Sequence, residues 1–142
     1  MLLKRLAVIG LTCLLSACVS SLADVRQAQP DKVADFPAVA ADLSGCVHRA
    51  MEAMDSPYEF RLITRPDKLE FYITAIRVSD AITRRQVAGI ELRFIAHDQK
   101  TTSVEMREGV PDGEALAYQV WPIIERCSQQ MNVRPAPNPT AP

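Results

Sequence analysis

Histidine, glycine and aromatic side chains are all scarce in this chain: two His, five Gly and 6% aromatics among 142 residues. With so little His, and with no Cys-x-x-Cys or His-x-x-x-His spacing, no zinc ligand set can be assembled. No glycine-rich phosphate loop and no Gly-x-Ser-x-Gly elbow occurs, which removes the commonest nucleotide and acyl-transfer signatures. Ser44, His48 and Asp42 could be gathered on one helix as a nucleophile, a base and an acid. Any chain of this size offers such a triple, however, so a hydrolase is the least favoured reading. No repeat at a period of 20–50 residues is visible. The formal charge is −1, so there is no basic excess to attract nucleic acid. These absences point to a domain that is not an enzyme and that needs no cofactor and no metal.

The apolar residues are unevenly spread. Two basic residues, Lys4 and Arg5, precede the apolar block Leu6–Ala17, whose twelve residues fall short of the roughly 20 that span a bilayer. That pattern reads as a signal peptide over 1–17. It ends in Leu15-Ser16-Ala17-Cys18, which resembles the lipobox of bacterial lipoproteins: Leu, two small residues, then Cys. The resemblance covers residues 1–18 only. It implies that Cys18 receives diacylglycerol and becomes the acylated N-terminus, so that the protein meets the membrane through lipid. In that family an Asp after the Cys favours the inner membrane. By that resemblance Val19 favours the periplasmic side of the outer membrane over the inner membrane. Several acyl chains would make the attachment stable, because one alone is marginal.

Once Cys13 leaves with the leader and Cys18 takes lipid, Cys46 and Cys127 remain. In an oxidising compartment they can form only one intramolecular disulfide, two buried free thiols being the alternative. A bridge closing a loop of about 80 residues would stabilise the fold by roughly 4–4.5 kcal/mol in the chain-entropy picture.

Residues 18–36 mix small, polar and charged side chains around Pro30, and read as the lipidated end followed by a flexible tether. From 37 to 54, Val39, Leu43, Cys46, Val47, Ala50 and Met54 form one helical stripe, which Ser56-Pro57 ends. Gly45 inside this helix suggests close approach to another element. Then the apolar period changes to two. Tyr58, Phe60 and Leu62 form one series; Leu69, Phe71, Ile73 and Ala75 a second; Ile90, Leu92, Phe94 and Ala96 a third. Thr101–Arg107 is a weaker fourth strand. After Pro111-Asp112-Gly113, Leu116, Val120, Ile123, Cys127 and Met131 return to helical spacing, with Pro122 predicting a bend or a split. Residues 133–142 hold four prolines and read as a disordered tail.

The expected fold is therefore α+β over residues 37–132. A helix, a three- to four-stranded antiparallel meander and a second helix follow in order, with both helices on one sheet face. The other face would carry alternating charges. Arg61, Ile63, Tyr72, Ile76, Arg93 and Ile95 on it form a candidate partner surface, an apolar spot ringed by Arg and Tyr. Two functions fit. One is a non-catalytic envelope lipoprotein that binds or supports another envelope component. The other is a domain that binds a small ligand or a cell-wall fragment. The lipobox generates the first test. Cys18→Ser should leave the chain unprocessed at this site and free of fatty-acid label, and normal processing with full label would end the lipoprotein reading.

Overall fold

The computed structural model describes residues 19–79, 82 and 84–133; the leader, Cys18 and the tail from 134 lie outside the described residues. The elements run α1 Leu22–Gln27, β1 Lys32–Phe36, α2 Ala40–Glu52, β2 Glu59–Arg65, β3 Glu70–Val78, β4 Gln86–Ala96, β5 Thr102–Glu108 and α3 Gly113–Val133. The five strands form one antiparallel sheet in the order β1-β5-β4-β3-β2. The α+β class and the β2–β5 meander agree with the apolar periods. The sheet has a fifth strand, because β1 pairs with β5 from Lys32↔Met106 to Phe36↔Thr102.

The expected tether is the main correction. Residues 19–36 hold α1 and β1 and are part of the domain. Ser21 starts α1 with a capping box: its hydroxyl accepts from the Asp24 N–H at 3.2 Å, and the Asp24 carboxylate accepts from the Ser21 N–H at 2.9 Å. Two orphan donors are satisfied reciprocally, which lets a six-residue helix form. Its Val25 is buried, and the helix lies against β4 and β5.

The core lies between the sheet and the two longer helices. Leu43, Val47 and Met51 of α2 and Leu116, Val120 and Ile124 of α3 share one cluster with Ile73, Ile90, Leu92, Phe94 and Val104. Fully burying each such side chain contributes about 1.5–3 kcal/mol. α2 starts at Ala40 rather than at 37, and Val39 stands at its N-cap, exposed. Helix α3 runs unbroken through Pro122, so the proline does not split it. Its buried stripe passes through Ile124, with Ile123 only half-buried.

Cys46 and Cys127 form a disulfide between the two helices, with Cα atoms 6.0 Å apart. Gly45 is not needed for this approach. A β-carbon there would meet only the Arg49 guanidinium, at 3.4 Å. Packing does demand a glycine at Gly109: its N–H donates to the Gly89 carbonyl at 2.6 Å, and an added β-carbon would lie 2.0 Å from the Ala88 oxygen. The bridge spans 81 residues, so reduction should lower stability by up to roughly 4 kcal/mol. Thermal unfolding with and without reductant reads this directly. An unchanged Tm after complete reduction, verified by alkylation of both thiols, would contradict it.

Candidate functional site: the polar sheet face

The sheet face turned away from the core is built in rows, because period two sends alternate side chains to it. One row reads Arg65, Glu70, Ile95, Ser103 and Asp35 across β2, β3, β4, β5 and β1. The next reads Ile63, Tyr72, Arg93, Glu105 and Val33, and a third Arg61, Thr74, Glu91 and Arg107. Opposite charges therefore stand beside one another across strands, an arrangement that favours pairing.

The pairs form a connected lattice. Arg93 donates to Glu70 at 2.5 Å and to Glu105 at 3.4 Å, and Arg107 donates to Glu105 at 2.9 Å. Tyr72 donates its hydroxyl proton to Glu70 at 2.6 Å. Arg26, from α1, donates to Glu91 at 2.6 Å, and the Glu91 side chain is only 2% exposed. The centre of this face is thus buried rather than solvated: Glu70, Thr74 and Glu91 are all buried.

Between α1 and the strands lies a cleft of about 150 Å³ lined by Arg26, Arg65, Tyr72, Glu91, Arg93 and Arg107. Four guanidiniums meet there. Three of them are bound to carboxylates, whereas Arg65 contacts no carboxylate among the described residues and rests over the Tyr72 ring at 5.2 Å. Two buried polar atoms on this face, Arg93 Nε and Thr74 Oγ1, have no hydrogen-bond partner among the described residues. Such atoms are costly to leave unmade. The cleft therefore carries one guanidinium, Arg65, that no carboxylate among the described residues neutralises, and its chemistry suits an anionic group such as a carboxylate or a phosphate.

The structure rearranges the partner surface expected from the sequence. Arg61 is an exposed residue paired with Glu59 at 2.8 Å. Arg93 and Tyr72 are half-buried members of the lattice. The three isoleucines do not make one apolar spot. Ile63 stands opposite Tyr72, and Ile95 opposite Glu70 and Ser103. Ile76 is buried, at 6% exposure, beyond the β-bulge between Ala75 and Ile76. Sequence reasoning missed Arg26, Arg65, Glu105 and Arg107. Strand parity places Arg107 and Glu105 within reach, but Arg65 lies beyond the apolar alternation that ends at Leu62, and Arg26 falls in the segment expected to be a tether.

The candidate triple of Ser44, His48 and Asp42 is not assembled. Ser44 is fully buried and donates to the Ala41 carbonyl at 3.1 Å. His48 Nε2 donates to the Phe60 carbonyl at 3.1 Å, while its Nδ1 lies 3.6 Å from Glu52. Among the described residues, no cluster of three or more His, Cys, Asp or Glu is placed to hold a metal. No protein-family model matches the chain, and no curated protein is significantly similar to it.

Burial pushes the Glu70 carboxyl up, but the hydrogen bonds from Arg93 and Tyr72 and the Arg93 charge outweigh it and hold the group below its ordinary 4.5. A depressed folded-state pKa gives stability that is present above the unfolded value and lost as pH falls through the folded one. Tm should therefore fall below about pH 4.5, and Glu70→Gln should flatten that part of the profile while lowering Tm at pH 7. An acid limb with the same slope in Glu70→Gln as in the parent would show that Glu70 does not carry it.

Proposed function

We propose that this chain is a lipid-anchored lipoprotein of the bacterial envelope, on the periplasmic side of the outer membrane. Its non-catalytic domain binds or supports another envelope component. The observation that carries the reading is the arginine-lined cleft on the polar sheet face. Most of that face is already neutralised internally, so a partner that presents an acidic group would be held at one place, beside Arg65. The Cys46–Cys127 disulfide supports an oxidising, extracytoplasmic compartment. Among the described residues no helix is long and apolar enough to cross a membrane. Membrane attachment then rests on the acyl chains that the lipobox resemblance implies for Cys18.

The size of the cleft favours a second reading, a domain that takes a small anionic ligand or an acidic cell-wall fragment. The two readings share the site and differ in what surrounds it. A macromolecular partner would also cover the exposed Ile63 and Arg61; a small ligand would leave them bare.

Arg65 is the side chain to change, because its loss strands no buried carboxylate. Removing Arg93 would strip the buried Glu70 of its bound guanidinium, while Glu105 would keep Arg107, and would cost on the order of 3 kcal/mol of stability. A photo-crosslinking side chain at Ile63 should capture one discrete adduct in the native envelope. The same group at Tyr118, exposed on α3, should not, and Arg65→Gln should weaken the Ile63 adduct several-fold. Identical adducts from both positions, or none from Ile63, would count against the partner reading. Binding of purified wall fragments that is lost in Arg65→Gln, without an adduct at Ile63, would favour the second.

A further inference from the structure

The N-terminal end of the domain is held tightly at Ser20. The Ser20 N–H donates to the Val110 carbonyl at 3.0 Å, and the Ser20 carbonyl accepts from the Ala88 N–H at 3.1 Å. The Ser20 hydroxyl accepts from the Val110 N–H at 2.9 Å. Only Val19 separates this anchored residue from Cys18. Successive α-carbons are 3.8 Å apart, so Cys18 lies within about 7.6 Å of Ser20 however the chain runs. A lipid on Cys18 would hold this end of the sheet against the headgroups.

The surface at that end suits the position. Val78, Ile82 and Val110 are 59%, 95% and 48% exposed. Val78 pairs with Gln86 at the mouth of the β3–β4 hairpin, two residues from Ala88. Ser79 donates to the Arg85 carbonyl at 2.9 Å and draws the hairpin connection together. Arg84 and Arg85 lie in that connection, both exposed. Apolar side chains beside basic ones are what the interface of an anionic bilayer takes up. Each basic residue near such a surface raises partitioning about fivefold.

We propose that the Ser20 end of the domain, comprising Val78, Ile82, Arg84, Arg85 and Val110, docks on the anionic phospholipid surface in which the lipid of Cys18 is embedded. The domain then stands on the membrane in one orientation instead of swinging on a tether. This rests on the lipoprotein reading for its anchor, but not on the arginine cleft.

The full-length lipidated protein is reconstituted in vesicles of phosphatidylethanolamine and phosphatidylglycerol that carry a lipid-borne quencher. A fluorescent amino acid replaces Ile82 in one variant. In another it replaces Gln99, which is exposed in the β4–β5 connection at the other end of the sheet. Quenching at position 82 should exceed that at 99 at least twofold, and Arg84→Gln with Arg85→Gln should reduce the difference. Equal quenching at the two positions, with acyl mass confirmed on Cys18, overturns the docking surface and leaves lipidation standing. Absence of acyl mass on Cys18 overturns both.

Discussion

The ion pair between Arg26 and Glu91 sits at the middle of the sheet, and much of the architecture follows from it. β4 is the central strand and is buried on both faces through most of its length. Toward the core it sends Ile90, Leu92 and Phe94; on the opposite face it places Glu91. A carboxylate that is 2% exposed and unpaired would cost several kcal/mol. Its nearest cation comes from α1, so α1 must dock for the face to be satisfied. Docked there, α1 leads the chain directly into β1, which covers the β5 edge. The same docking places Ser20 against Ala88 and Val110. One buried charge on the central strand is thus linked to the order of the whole segment between residue 19 and the first long helix.

The two faces of the sheet are stabilised by different means. One face is closed by apolar burial under α2 and α3 and by the Cys46–Cys127 bridge between them. That side needs no polar specificity, and its register is enforced by the alternation of large side chains with strand period. The other face is closed by charge. Arg93 bridges β3 to β5 through Glu70 and Glu105, so it ties three strands together across the sheet. The lattice is short of one carboxylate partner, at Arg65, and short of acceptors and donors at Arg93 Nε and Thr74 Oγ1. Arg65 lines the cleft, whereas Thr74 Oγ1 and Arg93 Nε lie buried within the face.

The two long helices and four of the strands are legible because each turns large apolar side chains to the core and mostly polar or charged ones away from it, which writes its period into the apolar residues. The N-terminal elements carry no such signature. α1 is too short for a 3.6-residue period to repeat and buries only Val25; β1 is an edge strand in which Phe36 alone is buried. Ser21-x-x-Asp24 was the available local signal, a capping pattern with no apolar run after it. Ile76 keeps the parity of Thr74 and pairs with Glu59 without a break, so its face followed from the strand period. Its burial, at 6% exposure, did not, because no residue pattern signals that anything covers this face. The cleft depended on the same unread elements, since Arg26 reaches the polar face only from α1.

Strand direction sets which surfaces share an end of the domain. β3 ends and β4 begins at the Ser20 end, so Leu69, Ala96 and His97 lie at the other. There the chain folds into a groove of about 310 Å³ lined by Val39, Leu69, Phe71 and His97, in which the exposed Val39 and Leu69 face solvent. If the Ser20 end rests on the headgroups, this apolar groove is the part of the molecule farthest from the membrane. The arginine cleft lies between the two ends, on the flank that α1 covers. A partner reaching the cleft would then approach alongside the sheet and not from above it. The short Cys18–Ser20 connection would limit how far the domain could tilt to meet that partner. Affinity at the cleft would accordingly depend on the length of chain between Cys18 and Ser20. Lengthening that connection would free the domain to rotate and lower the effective concentration of cleft at the partner, without changing any residue of the cleft itself.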